Sequence, residues 1–419
     1  MPGMLSRRTL LGSAAAATLA RPALAAPVTL DFWDMISGPP EYIETGRRLV
    51  EEFNTEHPDI QVRYRSIPWT NWYQTFVTAI GAGKAPDLST GAGYQAVQLY
   101  DQGAIRPIDD VIAELRASGE LDTFYPGTVD RLRYDNHYVA LPWAMDIRVW
   151  LYRRDIVEPA GVAPPTNWAE LRDAAKRLTG GGKYGLVGSG DTGGSHYLFA
   201  LMLNNGGGLF DAQRKLVFQS PRNVEALQYL ADLVRDGSVN PASAGYDSDT
   251  RRRSFIQGEA AFILDGPGFA DSAPPDVKAK IGVLPPLAGP HGDKGSIEWV
   301  NNIMVYDQTK QYEATKLFLK WWSAHELVMF TQGHARTLSA RRTFLADPYF
   351  AADPVRSTII ANYLPIGKST GYAAPGIFPQ LNAVEGEGAM FTLVQQILQG
   401  KDVRSSMTQA EPKLQQLLG

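Results

Sequence analysis

Val28-Thr29-Leu30-Asp31-Phe32-Trp33 alternates apolar and polar residues, and the pattern that follows it decides the fold. Val28, Leu30 and Phe32 share one face of a half-buried strand that ends at Trp33. Ile43, Gly46, Leu49, Val50 and Phe53 then fall at helical spacing, and His57-Pro58-Asp59 stops that helix. Ile60, Val62 and Tyr64 give a second strand. Trp72, Phe76, Ala79 and Ile80 mark a second helix, closed by the glycine- and proline-bearing stretch from Gly81 to Pro86. This βαβα order predicts an α/β fold with a mainly parallel sheet and helices on its faces.

Later helices carry clear punctuation. Asn167 caps a helix over Trp168–Leu178, and Glu170, three residues on, completes a capping box. Ser220-Pro221 supplies a cap with proline at the first helical position. A third helix over Tyr312–Ala324 offers Leu317, Phe318, Trp321 and Trp322 to a core. There is no internal repeat and no long linker.

The N-terminus sets the compartment. Ser6-Arg7-Arg8-Thr9-Leu10-Leu11-Gly12 places two arginines before an alanine-rich apolar run that ends at Ala23-Leu24-Ala25. This is the pattern of a twin-arginine export signal over residues 1–25, with fold reasoning starting near Ala26. The run from Leu10 to Ala20 is about half of the ~20 residues that a membrane span needs. The chain has no cysteine, hence no disulfide framework and no lipid-attachment site. The expected destination is the periplasm, with the protein free of a lipid anchor. Losing residues 1–26 removes Arg7, Arg8 and Arg21 and no acid, taking the formal net charge from −4 to −7. Such a chain is a poor binder of nucleic acid or anionic membranes. The remaining residues, about 390, suit two domains better than one.

Three stretches carry a family resemblance. The first runs Phe53-Asn54-Thr55-Glu56-His57-Pro58-Asp59-Ile60, then Trp69 to Trp72, Gly81 to Asp87, and Gly103-Ala104-Ile105-Arg106-Pro107-Ile108. The second is Tyr138-Val139-Ala140-Leu141-Pro142-Trp143, followed by Trp150 to Asp155 and Pro165 to Leu171. The third is Phe255-Ile256-Gln257-Gly258-Glu259-Ala260-Ala261-Phe262 with Asp265-Gly266-Pro267. Together, from about Val28 to the Arg342 region, the chain resembles the extracellular solute-binding proteins of carbohydrate-uptake ABC transporters, relatives of maltose-binding protein. The resemblance implies a two-lobed periplasmic binding protein fold, each lobe a mainly parallel sheet flanked by helices, with several hinge crossings. By similarity, residues 27–145 plus 284–324 form the N-terminal lobe and 146–283 plus 325–419 the C-terminal lobe. The crossings are expected near Asp146–Arg148 and Gly282–Pro285. The implied partners are a carbohydrate or sugar-derivative ligand and membrane-embedded permease subunits; the chain is expected to be a monomer that needs no cofactor or metal and performs no catalysis.

Sugar sites need aromatic faces for the C–H side of the ring, and planar acids, amides and guanidinium groups for the hydroxyls. Trp72, Trp168, Trp321 and Trp322 sit at core spacing on helices, whereas Trp33, Trp69, Trp143 and Trp299 lie at strand ends or in loops, where binding residues concentrate. Asp146 to Tyr152 alternates, with Asp146, Arg148 and Trp150 on one face. An acid and an Arg two apart, near a lobe crossing, offer an acceptor beside a forked donor; a structural ion pair is the plainer alternative. Asp265-Gly266-Pro267-Gly268 ends an apolar strand, where small residues allow a ligand to come close. Maltodextrin-binding relatives carry an aromatic where this chain has Gly268, so the resemblance implies a smaller or differently stacked ligand than a long glucan. Trp299 and Asn301, in Glu298 to Asn302, match a loop that lines the cleft in the family. Gly93 and Gln95 precede an expected helix, and Ser37 and Gly38 follow the first strand. Ser195 and His196 lie on a glycine-bordered cleft-edge loop. Arg148, with Arg336 or His196 as neighbours, also suits an anionic group; Asp146 tips the reading toward a neutral sugar or polyol.

Two rival functions have sequence support. Gly188-Ser189-Gly190-Asp191-Thr192-Gly193 fits the dinucleotide fingerprint and suits an exported nicotinamide-dependent oxidoreductase, although it lies mid-chain. Asp146, Asp265 and Glu298 could supply the paired carboxylates of a glycoside hydrolase. His325-Glu326-Leu327-Val328-Met329 lacks the second histidine of a zinc-protease motif, and no G-x-S-x-G occurs.

Overall fold

The computed structural model describes residues 27–418. The export-signal reading of residues 1–25 therefore lies outside the described residues. The opening pattern folds as expected: strand Val28–Met35, helix Pro40–Glu56, strand Ile60–Ile67 and helix Trp72–Gly81. The first two strands run parallel, in register from Val28 with Ile60 to Met35 with Ile67. Helix Trp168–Arg177 is capped as predicted, with Glu170 N donating to Asn167 Oδ1 at 3.0 Å. The Glu170 carboxylate reaches back one residue further than a capping box requires, to Thr166 N at 2.8 Å. Helices Pro221–Arg235 and Tyr312–His325 stand where their punctuation placed them.

Two sheets organise these elements. The larger orders its strands Leu338–Ser339, Leu141–Ile147, Ser296–Val305, Leu88–Gly91, Val28–Met35, Ile60–Ile67, with Gly367–Lys368 added beside Ser296–Val305. The smaller orders Ile281–Val283, Val149–Arg153, Ala260–Asp265, Tyr184–Leu186. The α/β expectation holds, but the strand directions are more mixed than "mainly parallel". Ser296–Val305 is antiparallel to both Leu88–Gly91 and Leu141–Ile147, and Val149–Arg153 is antiparallel to both of its neighbours. The reason is connectivity. These strands enter their sheets directly from the other sheet, so no crossover helix turns the chain back to the parallel direction.

The passage between sheets is short. Leu141–Ile147 belongs to the larger sheet and Val149–Arg153 to the smaller, leaving Arg148 alone between them. Sequence alternation treated Asp146 to Tyr152 as one strand; the chain instead changes sheets at Arg148. The return passage lies between Ile281–Val283 and Ser296–Val305. Leu338–Ser339 pairs with Met145 and Ala144 at the edge of the larger sheet, although resemblance grouped residues 325–419 with the other lobe.

Helix Thr192–Asn204 is apolar nearly all round and buried, as such a helix must be. It packs on helices Pro221–Arg235 and Phe391–Leu398 and on strand Ser296–Val305, which carries His196 to the junction of the two sheets. No described helix is long and apolar enough to cross a membrane.

Beneath the larger sheet lies an acidic pair. Asp34 accepts bonds from Tyr42 Oη at 3.2 Å, Tyr64 Oη at 2.8 Å and Thr90 Oγ1 at 2.8 Å, and burial raises its pKa to about 6. Glu326 is 0% exposed and both its carboxyl oxygens lack a hydrogen-bond partner. Burial raises its pKa well above the usual value, with Arg341 opposing and Asp34 reinforcing the shift. An acid whose folded pKa is raised loses stability as pH climbs from its unfolded value through its folded one. Glu326→Gln is therefore expected to stabilise the fold by about 1–3 kcal/mol at pH 8 and by much less near pH 5. Thermal unfolding of both forms at the two pH values measures it; an equal shift at both would contradict a neutral, buried Glu326.

Candidate functional site

The geometry around Arg148 is built from three elements. Its backbone N–H donates to Ile297 O at 3.1 Å, and its carbonyl accepts from Ser296 Oγ at 2.5 Å, fixing the crossing to strand Ser296–Val305. Its Nη1 donates to Asp146 Oδ1 at 2.6 Å. Nε and Nη2 meet His196 Nδ1 at 3.2 and 3.0 Å, and the guanidinium lies 4.8 Å from the Trp299 ring centroid. Burial, and then the Arg148 cation, hold the His196 imidazole well below its usual pKa. A neutral His196 that accepts at Nδ1 carries its proton on Nε2 and offers a donor there. The cluster thus holds an indole, an acid, a forked cation and a neutral donor; the indole is only 5% exposed, lying against Arg148 and His196.

Trp299 is anchored from behind. A Cβ on Gly93 would lie 2.7 Å from Trp299 Cβ, so glycine there lets the strand and the Gly91–Gln95 turn approach. The indole N–H donates to Glu385 at 2.8 Å (Oε2) and 3.1 Å (Oε1), and the rings of Trp299 and His196 lie 4.4 Å apart. The structure brings Ser37, Gly38 and Arg336 into a connected loop cluster. Arg336 N donates to Ser37 O at 2.7 Å and Arg336 Nη2 to Gly38 O at 3.0 Å.

Other expected site residues take different positions. The space above Gly268 is filled by the chain itself, since a Cβ there would meet Arg336 Cα at 2.7 Å and Ala335 O at 2.8 Å. Gly266 likewise sits against Arg336 O, Asp146 and Arg148. The small residues admit this backbone rather than a ligand. Asp265, 2% exposed, is engaged by Arg251 Nη2 at 2.6 Å and Arg252 Nε at 2.9 Å and has no face toward a solute. Trp143 is 2% exposed and packs near Phe330, because its strand lies inside the larger sheet. Gln95 is buried, with Oε1 accepting from Ala92 N at 3.1 Å, a helix-start bond rather than a reach for hydroxyls. Asn301 is buried at a register shift in its strand, and Ser195 Oγ faces Asp191 O within its own helix. Trp69 is 41% exposed, and its indole donates to Ile36 O at 2.7 Å, which sets it beside the Ser37–Gly38 loop. Glu385 and Thr370 escaped the sequence reading; they come from a C-terminal run of short elements beyond the reach of the family resemblance.

The rival constellations also have local explanations. The Gly190 and Gly193 N–H groups are used by Tyr246 O and Asp191 Oδ1, and Cβ atoms on Gly190 and Gly193 would strike Ala244 O and Ser248 Oγ. The fingerprint glycines serve close packing around a capped helix. Asp146, Asp265 and Glu298 are each tied to an arginine, Glu298 to Arg131 at 2.8 Å.

Residues 39–329 match the family described as bacterial extracellular solute-binding protein, and the chain belongs to that family. A solved sugar transporter from Arthrobacter chlorophenolicus A6, with bound laminaribiose, is 34% identical, with a TM-score of 0.88 over 93% of this chain and 100% of that one. A solute-binding protein from Agrobacterium radiobacter K84, in complex with ribitol, shares the fold at 22% identity and a TM-score of 0.80, over 94% of this chain and 99% of that one. Among curated relatives, the maltotriose-binding protein of Pyrococcus abyssi is 24% identical over 75% of this chain and 68% of its own length. The sn-glycerol-3-phosphate-binding periplasmic protein of Rhizobium meliloti is 24% identical over 72% of this chain and 73% of its own. The family description and the curated relatives' names are those of binding proteins.

Proposed function

We propose that the chain captures a neutral mono- or short oligosaccharide or polyol between its two sheets and delivers it to the permease subunits of an ABC importer. The carrying observation is the cluster of Asp146, Arg148, His196 and Trp299 at the crossing between sheets. It sets an indole, which a ligand would reach only as the lobes part since Trp299 is 5% exposed, beside an acceptor and donors, the chemistry a sugar ring requires. The paired Asp146 leaves Arg148 a neutral partner rather than a bare cation, which favours hydroxyls over an anionic group. The 34%-identical neighbour with bound laminaribiose supports the same class. One lobe would comprise the larger sheet, including Leu338–Ser339, and the other the smaller sheet with helices Thr192–Asn204, Pro221–Arg235 and Phe391–Leu398. Ligand that bonds both lobes would favour the closed arrangement by its differential affinity. Export by the twin-arginine route to the periplasm, as a monomer without a lipid anchor, completes the reading.

Calorimetry tests it with laminaribiose, other neutral sugars and polyols, each paired with a phosphorylated, sulfonated or oxidised counterpart. Tight binding within the neutral set is expected. Binding confined to the anionic members would overturn the neutral-ligand reading, and turnover of a glycoside would overturn the non-catalytic one.

A further inference from the structure

Trp299 is held at both ends of its indole: the ring faces Arg148 and His196, and the N–H faces Glu385. Glu385 belongs to helix Gln380–Gly386, far along the chain from Trp299, and its carboxyl is itself oriented. Thr370 Oγ1 donates to Glu385 Oε1, Tyr94 Oη donates to Thr370 Oγ1 at 3.1 Å, and Thr370 N donates to Tyr94 Oη at 2.8 Å. One indole N–H, shared between both oxygens of a carboxylate that a threonine also holds, leaves the ring little freedom to turn. We infer that Glu385 is a positioning residue for the ligand platform, a latch that fixes the Trp299 ring against Arg148. The inference rests on the reading of Trp299 as part of a sugar site.

The carboxylate is a stronger acceptor when ionised than when protonated. The charged and titratable groups around it are Arg148 and Asp146 from the crossing, Tyr94 from the turn after Leu88–Gly91, and His196 across the Trp299 ring. Burial raises the Glu385 pKa to about 7, against the hydrogen bonds from Thr370 and Trp299 and the nearby Arg148, which lower it. The latch therefore tightens as pH rises through neutrality, and affinity for a stacked sugar rises with it.

Two arms test the latch. Without ligand, the Trp299 emission, taken as the difference between the wild-type chain and Trp299→Phe, is titrated between about pH 5.5 and about pH 8.5. A transition near neutrality that vanishes in Glu385→Gln is expected; a transition that persists in Glu385→Gln, or none in the wild type, would overturn the latch. With laminaribiose as probe, Glu385→Ala should bind about tenfold or more weakly, while Glu385→Gln keeps affinity near the wild-type value and loses its rise with pH. Equal pH profiles in the wild type and Glu385→Gln, or a wild-type affinity that falls with pH, would also overturn it. Should neither laminaribiose nor any sugar in the panel bind the wild type, the sugar reading fails, and the emission arm still decides whether Glu385 holds Trp299.

Discussion

Asp265→Ala is expected to cost the fold about 3–5 kcal/mol, the largest single effect among the residues at the junction. The carboxylate neutralises Arg251, which is almost wholly buried, and is shared with Arg252; it also accepts from Gly266 N at 2.7 Å. Removing it strands a guanidinium that has no route to water. Burial alone would raise the Asp265 pKa, but Arg252 and Arg251 hold it well below the usual carboxylate range. The contribution is thus complete above the pKa of an unfolded aspartate and fades only as pH falls toward the depressed folded value. Urea unfolding at pH 7 reads the loss directly. A cost below about 1 kcal/mol would mean that the arginines find other partners or water.

Arg148→Ala is expected to weaken ligand binding by about 1.5–3 kcal/mol, since it deletes a forked, charge-assisted donor. Arg148→Lys should recover little, because a point charge cannot hold Asp146, His196 and a hydroxyl in one plane. The fold should suffer less than the site. The backbone bonds of residue 148 to Ile297 and Ser296 survive the change, and Asp146 retains access to water. Paired calorimetry and thermal melts separate the two effects. Normal affinity with a lowered melting temperature would make the Arg148–Asp146 pair purely structural.

How much of this was legible in the sequence follows from which signals are local. Alternation over Val28–Phe32, helical spacing over Ile43–Phe53, and the caps at Asn167 and Ser220 are properties of a few consecutive residues, and each element formed where its signal lay. Family resemblance put a crossing near Asp146–Arg148, where the chain does change sheets, but it read Trp299 as part of a cleft-lining loop, and Trp299 stands inside strand Ser296–Val305. Direction and burial were not legible, because they depend on the other sheet. Trp143 has the sequence surroundings of a loop tryptophan, yet its strand lies between Ser296–Val305 and Leu338–Ser339. Asp265 has the surroundings of a cleft acid, yet its partners Arg251 and Arg252 stand on the preceding helix, Ser248–Ile256. Gly266 and Gly268 were read as leaving room for a ligand; the Ala335–Arg336 backbone takes that room. Glu385 lies 86 residues from Trp299, in a region whose short helices give no periodic pattern to link the two.

The central claim is that a neutral sugar is held at the crossing between the two sheets. A crystal structure of the chain with the tightest-binding member of the neutral panel tests it most directly. The predicted result is a ring lying on Trp299, with hydroxyls bonded to Asp146, Arg148 and His196. A ligand seated elsewhere, for example in the cavity of about 190 Å³ bordered by Arg154, Lys278 and Arg356, would contradict it.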